Sequence, residues 1–474
     1  MLFNSLHFLF FFPLVIFFYA VIKPTFRWIL LLVASYYFYM SWNPAYILLI
    51  LFSTIVDYWV AIFLVKFNEN WKRNLLLGIS LSANLGLLFY FKYFNFFNVA
   101  VADTLQLFGQ SYHYSVMDIL LPVGISFYTF QTLSYTIDVY NNRMVPVRHF
   151  GFFALYVSFF PQLVAGPIER PQNLFPQLLK LDKIKSQNLV RGCRLILWGL
   201  FKKMVIADRA AYFVNELFGN ANDYHGFSVV LAMIFFSFQI YCDFSGYTDI
   251  AIGAAKIFGV DLMKNFRMPY FSKSIREFWG RWHISLSTWF RDYVYIPLGG
   301  NRKSTKRWVL NLYITFLISG IWHGANWTFI IWGAVHGLFI ALESLSLKYK
   351  LINFKVPDLL ASFFTFTIVT VAWVFFRADS VAQAVQILHN LSDFNHNFVE
   401  ELSGFRLRDL FNIILPIPLI ALLLIAEKLQ QTRKFQKLFI KSGAIRMTIY
   451  TFLILLIAFY GVFRDQSDFI YFQF

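Results

Sequence analysis

Residues 45–65 read AYILLILFSTIVDYWVAIFLV, an apolar run that holds a single charged side chain, Asp57. A helix that crosses a bilayer needs about 20 mostly apolar residues, so this run predicts a membrane-spanning helix. Comparable runs recur along the whole chain and predict an all-α, polytopic integral membrane protein with about 11–13 spanning or re-entrant helices. The predicted runs are Leu6–Ile22, Trp28–Met40, Ala45–Val65, Leu75–Phe91, Ile119–Ile137, Phe150–Leu163, Leu189–Ala207, Val229–Tyr247, Ile250–Val260, Val309–Ser319, Trp327–Leu345, Leu359–Phe376, Leu410–Ile425 and Ile449–Phe463.

The composition excludes a soluble protein. Hydrophobic residues make up 58% of the 474 residues and charged residues 14%, whereas a soluble domain is about 45–50% apolar and about 25% charged. Because the apolar runs leave no polar stretch of domain size, the chain is predicted to be a single membrane-embedded domain over residues 1–474.

The two cysteines, Cys193 and Cys242, lie in different apolar runs, which argues against a disulfide framework and a cysteine-based zinc site. We expect no metal.

The net charge of +16, from 41 basic and 25 acidic residues, is explained by membrane topology and predicts no nucleic-acid partner. Lysine and arginine accumulate in cytoplasmic loops. Basic loops at Lys23 and Arg27 and at 66–73 alternate with the uncharged turn 41–44, which places the N-terminus outside. Residues 264–307 hold ten Lys/Arg against two Asp/Glu, which is +8 of the net +16, and are expected to face the cytoplasm.

Within this basic segment, a helix drawn over Ser272–Tyr295 has an apolar stripe that includes Trp282 and a cationic face of Arg276, Arg281 and Arg291. This pattern is typical of a helix lying in the membrane interface. His283 falls at the border of the stripe. The alternative interpretation is a basic loop that only anchors the topology.

A second histidine lies in the motif SGIWHGANW (319–327), where His323 separates two apolar runs. Ionisable residues at membrane depth are costly and tend to mark functional sites, and histidine is suited to proton transfer near neutral pH. Gly320 and Gly324 would let another backbone or a substrate approach closely, and they indicate open space around the ring. The alternative is a histidine that only hydrogen-bonds a neighbouring helix.

The segment QIYCDFSGYTD (239–249) places Asp243 and Tyr247 on one helix face and Ser245 and Asp249 on another. The carboxylates could bind a cation or proton, or pair with Lys or Arg of the basic segment, and both interpretations stay open. No phosphate-binding loop or serine-hydrolase elbow is present. The remaining histidines are interpreted as structural or as parts of helix ends and loops without a shared site: His7, His113, His149, His225, His336, His389 and His396.

Six stretches together resemble the membrane-bound O-acyltransferase family, and in particular its bacterial alginate O-acetylation branch. The resemblance covers nearly the whole chain, with most motif residues in 121–345. The matching stretches are LPVGISFYTFQTLSYTIDVY (121–140), FFPQLVAGPIERP (159–171), QIYCDFSGYTDIAIGAAKIFG (239–259), IREFWGRWHISLSTWFRDYVYIPLGGNR (275–302), SGIWHGANW (319–327) and FIYFQF (469–474).

The resemblance implies a ring of helices around a hydrophilic passage through the membrane. It also implies that His323 is the buried catalytic base or proton carrier, and that His283 occupies the second catalytic motif position. Near these histidines we expect substrate contacts from Trp282, Arg281, Arg276, Asp243, Tyr247, Trp322 and Asn326.

The expected function is O-acetyl transfer from a cytoplasmic thioester, such as acetyl-CoA or an acyl carrier, with no tightly bound cofactor. The expected acceptor is an exported or cell-surface polysaccharide such as alginate, reached through an extracytoplasmic acetyltransferase or esterase-like protein. The chain is expected to be a multi-pass protein of the bacterial cytoplasmic membrane, in contact with lipid. The alternatives are a D-alanyl transferase for teichoic acid in the same fold and a transporter that uses Asp243 and Asp249 as coupling carboxylates.

Overall fold

The computed structural model describes residues 1–164, 166–351, 356–403, 405–463 and 469–472. Within these residues all regular elements are helical, as the apolar runs predict. The backbone contacts divide the chain into two compact units, whereas the single domain expected from the sequence stays a prediction.

The first unit comprises Met1–Leu195 and Ile250–Lys264. A π-helical stretch, Phe89–Tyr93, joins its fourth and fifth helices. Its helices are α1 (Leu6–Val21), α2 (Arg27–Met40), α3 (Ile47–Lys66), α4 (Asn70–Leu88), α5 (Phe94–Leu107), α6 (Ile125–Tyr140), α7 (Phe150–Ser158), α8 (Phe160–Leu163), α9 (Pro171–Leu178) and most of α10 (Ser186–Leu200).

The second unit comprises Ile196–Asp249 and Asn265–Phe474. It contains π-helical segments at Phe201–Ala207 and Arg291–Tyr295 and short 3-10 turns at Pro269–Phe271 and Ile470–Phe472. Its helices are α11 (Asp208–Gly219), α12 (Gly226–Ile257) up to Asp249, α13 (Ile275–Trp279), α14 (Ile284–Phe290), α15 (Thr305–His323), α16 (Trp327–Tyr349), α17 (Asp358–Arg377), α18 (Val381–Asn390), α19 (Phe398–Leu402), α20 (Leu407–Ile414), α21 (Pro416–Gln431), α22 (Arg433–Lys441) and α23 (Gly443–Tyr460).

Seven helical stretches among the described residues are long and apolar enough to cross a membrane. Shorter apolar helices such as α1 accompany them, and its exposed side chains Leu6, Phe10, Leu14 and Phe17 follow a helical spacing typical of a lipid-facing surface. The total of about 11–13 spanning or re-entrant helices stays a prediction. The seven stretches are Pro44–Lys66, Asn70–Leu107, Gly226–Ile257, Trp327–Tyr349, Asp358–Arg377, Asp409–Gln431 and Gly443–Tyr460.

Four predicted spans differ from the structure. The runs 229–247 and 250–260 form one continuous helix, α12. Asp249, at the expected break, pairs with Lys202 at 2.5 Å. Because this pair neutralises the carboxylate, the chain does not have to leave the helix there to expose it to water. The run 150–163 is instead divided at Phe159, where the backbone leaves helical geometry. The run 119–137 becomes helical only from Ile125, after Gly124 in a left-handed conformation.

A cluster of polar side chains joins three helices of the first unit. Asp57 of α3 is fully buried and accepts hydrogen bonds from Ser80 and Asn84 of α4 and from Thr136 of α6, with donor–acceptor distances of 2.8 Å for Asn84 and 3.1 Å for Thr136. A buried carboxylate is costly unless donors surround it. The only charge of the run 45–65 is therefore accommodated by hydrogen bonds between helices.

The single interfacial helix predicted over Ser272–Tyr295 is wrong. The segment forms two short helices, α13 and α14, which are separated at residues 280–283, and it continues as the π-helical stretch Arg291–Tyr295. His283 interrupts the helix because its backbone is left-handed, with φ of 41°. The predicted faces agree with the structure better than the predicted continuous helix does, since Phe278 and Trp282 of the apolar stripe are buried and Arg291 of the cationic face is exposed.

Candidate active site

His323 is the last residue of α15, and close packing of two helices holds it in place. The side chain is buried, and its ring lies 5.0 Å from the Trp332 ring and 5.4 Å from the Phe376 ring, measured between centroids. A Cβ atom on Gly324 would overlap the Phe329 ring, and one on Gly320 would overlap the Phe329 carbonyl oxygen. The expectation of open space around His323 is therefore wrong, because these glycines let the backbone of α16 approach.

His283 is held by a neighbouring amide. Its Nδ1 lies 3.1 Å from Oδ1 of Asn265. The same oxygen accepts hydrogen bonds from the backbone N–H of Ser285 at 3.1 Å and from the Ser285 hydroxyl at 2.9 Å. A backbone N–H can only donate, so this contact fixes which end of the amide is the oxygen. It follows that Nδ1 of His283 carries the hydrogen and Nε2 carries the lone pair.

The ionisation of His283, which lies outside the seven candidate spans, favours the neutral ring. Burial and the neighbouring His323 ring hold the pKa of His283 well below its ordinary value near 6.5. At neutral pH the ring is therefore uncharged, and Nε2 is able to accept a proton.

Both histidines lie beside one aromatic ring near the end of the chain. The Tyr471 ring centroid is 6.3 Å from that of His283 and 5.8 Å from that of His323. Phe244 of α12 packs edge-on against His283 with 4.6 Å between centroids, and also lies against Tyr471 at 4.5 Å. Residues from α12, α16, α17 and the C-terminal turn thus pack around the pair. The last two residues of the FIYFQF motif, 473 and 474, lie outside the described residues.

Ion pairs anchor this C-terminal turn to α12. Asp243 accepts a hydrogen bond at 2.7 Å from the backbone N–H of Ile470, next to Tyr471. Its other carboxylate oxygen lies 2.8 Å from Nζ of Lys203, which also pairs with Asp208 at 2.8 Å. All three charged side chains are buried. Breaking such a buried pair costs about 3–5 kcal/mol, so Asp243 has a strong structural role in this position.

A second lysine pairs with the other predicted carboxylate. Nζ of Lys202 lies 2.5 Å from Asp249 and 2.9 Å from the hydroxyl of Ser245, which confirms that these two residues share a face of α12. The carboxylates therefore pair with lysines, but the expectation that the partners come from residues 264–307 is wrong. They come from the π-helical segment Phe201–Ala207. Two lysines inside the apolar run 189–207 were a signal for this, because charges at membrane depth need partners.

A cavity of about 580 Å³ opens beside the loop that carries His283. Its size is within the range of small-molecule sites, about 300–1,000 Å³. Arg276 and Arg291 are among the residues that line it, as are Thr315 and Ser319 of α15. Because Thr315, Ser319 and His323 are each four residues apart, they share one face of α15. The cavity is therefore lined by two residues of the helix face on which His323 lies, whereas His323 itself is not among the residues that line it.

Several residues expected to contact substrate have structural partners. Trp282 is buried, with its ring 5.5 Å from that of Phe278 and 5.1 Å from that of Trp373. Arg281 pairs with Glu277. The Tyr247 ring lies against the Phe469 ring at 4.5 Å between centroids and beside Lys203. The Arg276 guanidinium donates a hydrogen bond to the hydroxyl of Ser344 at 2.7 Å. Asn326 caps α16 by accepting from the N–H of Thr328, and it donates to the carbonyl of Asp379 at 2.8 Å.

Of the expected substrate-contacting residues, Arg276 alone is among the residues that line this cavity. Trp322 is half-buried next to His323, and the aromatic rings packed against His323 include those of Trp332 and Phe376. The substrate contacts of the other residues stay predictions. Asn265 was missed, since a loop asparagine has no distinguishing sequence pattern.

Comparisons with known proteins agree with these features. The sequence model of the membrane-bound O-acyltransferase family matches residues 147–378, a range that includes both histidines. The chain is 40% identical to the probable alginate O-acetylase of Pseudomonas putida over 419 residues, covering 86% of this chain and 84% of the relative. It is 37% identical to the peptidoglycan O-acetyltransferase of Helicobacter pylori over 400 residues, covering 79% and 75%.

A more distant relative is the teichoic acid D-alanyltransferase of Bacillus subtilis. It is 29% identical over 264 residues, which cover 50% of this chain and 64% of the relative. The two O-acetylating relatives are thus matched over a longer stretch and at higher identity.

Proposed function

This chain belongs to the membrane-bound O-acyltransferase family, and we propose that it moves acetyl groups from a cytoplasmic thioester donor for O-acetylation of an exported or cell-surface polysaccharide. Two relatives matched over most of their length are named as O-acetylating enzymes of alginate and of peptidoglycan. The proposal rests on the buried pair His283 and His323, which both lie beside the Tyr471 ring.

The histidine pair supplies the proton transfer that this reaction needs. When a hydroxyl attacks the thioester carbonyl, the new C–O bond forms as the hydroxyl proton passes to a neutral imidazole. The C–S bond then breaks, and the imidazolium returns the proton to the leaving thiolate. We assign the base to His323, in agreement with the WHGANW motif. We assign to His283 the orientation of the reacting group through Nε2, the nitrogen left with the lone pair by the contact with Asn265.

The cavity beside α13 and α14 is the proposed entry for the donor. Acetyl-CoA carries phosphate groups, and cations at the mouth of a cavity raise the local concentration of an anion. Arg276 and Arg291 supply these cations, and their guanidinium groups are exposed enough to reach a phosphate. Thr315 and Ser319 lead from these cations along α15 toward His323. We propose that the donor is acetyl-CoA or an acidic acyl carrier and that no cofactor remains tightly bound.

The acceptor side involves further partners. An extracytoplasmic acetyltransferase or esterase-like protein would pass the acetyl group to the polysaccharide. The protein would act in the cytoplasmic membrane of a bacterium, where a passage between helices allows a cytoplasmic donor and an outer acceptor to react without either crossing.

Mass spectrometry of surface glycans from cells with and without this protein tests the proposal. We expect an acetyl ester to disappear from one glycan when the protein is deleted and to return with the wild-type chain. The His323→Ala variant should not restore it. Unchanged acetylation in the deletion strain would contradict the proposal.

A D-alanyl transferase is the second candidate, supported by the match to a teichoic acid D-alanyltransferase. The same experiment separates the two, because the mass of the lost ester identifies the acyl group. A transporter that couples to Asp243 and Asp249 would retain its transport after loss of His323. The pairing of both carboxylates with lysines argues against free coupling sites.

A further inference from the structure

Two histidines that are far apart in the sequence meet in the second unit. The imidazole rings of His225 and His396 stack with 3.9 Å between centroids and 13° between planes. Asp393 lies next to them, and Nε2 of His396 is 3.4 Å from its Oδ2. Each of the three residues offers one ligand atom, and these atoms lie within 4.8 Å of one another. This group is separate from the active-site histidines and takes no part in the proposed transfer.

A fourth residue, Glu401, holds one of the histidines. Its Oε1 accepts a hydrogen bond at 3.0 Å from the backbone N–H of His225 and lies 3.5 Å from the ring atom Nδ1. Its other oxygen accepts from the hydroxyl of Ser228. Metal-binding histidines commonly present one ring nitrogen to a carboxylate, which fixes the tautomer and directs the other nitrogen to the metal. At 3.5 Å the Nδ1 atom makes no hydrogen bond to Glu401, and a small rotation of the imidazole would bring Glu401 into this role.

We propose that His225, Asp393 and His396 form a binding site for a divalent transition-metal cation of the zinc type, with Glu401 orienting His225. Zinc binds nitrogen and oxygen ligands at about 2.0–2.2 Å in tetrahedral geometry, so ligand atoms around it are about 3.4 Å apart. The distance of 3.4 Å between His396 and Asp393 already has this value. The 4.8 Å upper spacing needs a closure of about 1.4 Å, and an imidazole nitrogen binds a metal in the plane of its ring. The exposed His396 ring must therefore turn out of its stack on His225, a rotation about single bonds that its exposure allows.

The ligand chemistry distinguishes this site from one for calcium or magnesium. Those ions prefer sets of oxygen ligands, whereas two imidazoles and one carboxylate suit zinc and its neighbours. Three protein ligands leave a fourth position for water or another group. The bound cation would fasten the loop between α18 and α19 to the residue preceding α12.

Zinc titration of the full-length protein, purified in detergent through a tag without histidine, tests this site. After treatment with a chelator, Zn²⁺ is added in competition with a chromophoric chelator. We expect one Zn²⁺ per chain for the wild type, and the same affinity for His389→Ala, an exposed histidine of α18 outside the cluster. Affinity should fall by more than about 100-fold in His396→Ala and in Asp393→Asn, and by about 10–100-fold in Glu401→Gln.

Thermal unfolding provides an independent measurement. Because Zn²⁺ would bind the folded state, it should raise the melting temperature of the wild type and of His389→Ala but not that of His396→Ala. His396 is exposed and Asp393 is partly exposed, so both variants should fold, and either one suffices if the other aggregates. Equal Zn²⁺ affinity in the wild type and both ligand variants, or no stoichiometric binding to the wild type, would overturn the proposal.

Discussion

His283 adopts a backbone conformation that a residue with a Cβ adopts only at a cost of about 1–2 kcal/mol. The hydrogen bonds around Asn265 offset this cost, since its side chain contacts His283 and Ser285 and its carbonyl accepts from the N–H of Ile284 at 2.9 Å. The strained turn directs the imidazole toward Tyr471 and His323. Strain that the surrounding contacts maintain is common at active sites.

Asn265 is therefore expected to be a positioning residue. Asn265→Ala should reduce acetyl transfer by about 10-fold or more while leaving the protein folded, because the tautomer of His283 would no longer be fixed. For comparison, general base catalysis as a whole contributes about 10²–10⁴-fold. Asn265→Asp should retain part of the activity because it keeps an acceptor oxygen for Nδ1.

The pH dependence of the two variants distinguishes this role from simple packing. A carboxylate beside the ring favours the imidazolium and raises the pKa of His283. The reaction requires a neutral His283 ring. As the pH is lowered, Asn265→Asp should therefore lose activity at a higher pH than the wild type does. Identical pH–rate profiles for the wild type and Asn265→Asp would contradict the role assigned to this contact.

At the scale of single residues, the motifs single out His323 and His283 as the expected catalytic pair, and the structure brings both beside Tyr471. The sequence could not predict their surroundings. Tyr471 is 148 positions after His323 in the printed numbering, so no local pattern connects them. The same separation in sequence hides the meeting of His225 with His396.

At the scale of helices, the packing of α15 against α16 determines where His323 lies. Gly320 faces the backbone of α16, where a Cβ atom would overlap the carbonyl oxygen of Phe329. Gly320→Ala should destabilise the protein by about 1–3 kcal/mol through overpacking. Gly78→Ala is the matched control, because this glycine of α4 has no atom near the added methyl, and it should be neutral or stabilising by up to about 1 kcal/mol.

Melting temperatures in the same detergent measure both glycine variants. A lower melting temperature for Gly320→Ala and an unchanged or higher one for Gly78→Ala are expected. Equal stability of the two variants would mean that α15 and α16 do not approach as closely as the structure indicates.

The arginines at the cavity provide a test of donor binding. Glutamate at both Arg276 and Arg291 should raise the KM for the donor and make it less sensitive to salt, because surface attraction of an anion is screened as ionic strength increases. Arg281→Glu should have a smaller effect on KM, since Arg281 is not among the residues lining the cavity. A KM unchanged at all salt concentrations in the double variant would remove the cavity from the donor path.

Helix periodicity predicted which side chains of 272–295 are buried, but not that the helix breaks. A periodic pattern reports which faces are apolar and contains no information about a left-handed residue such as His283. Conversely, the expected break before Ile250 does not occur, because Lys202 neutralises Asp249. Tertiary contacts thus decided both boundaries.

At the scale of the whole molecule, composition and apolar runs were sufficient for the membrane class, since no soluble protein buries so much apolar surface.

Topology remains a prediction from the basic loops. With Cys193→Ser to remove the exposed native cysteine, an impermeant thiol reagent applied to intact cells should label Ser41→Cys and leave Ser304→Cys unlabelled. Labelling at 304 but not at 41 would reverse the orientation.

We expect His323 to transfer the proton and His283 to orient the reacting group. The rates of acetyl transfer by His323→Ala and His283→Asn, compared at matched protein levels, distinguish these roles. His323→Gln is added because it fills more of the space between Trp332 and Phe376. Both His323 variants should lose about 10²–10⁴-fold in rate, whereas His283→Asn should lose less, because an amide still forms hydrogen bonds. Equal and modest losses for all three variants would mean that neither histidine transfers a proton.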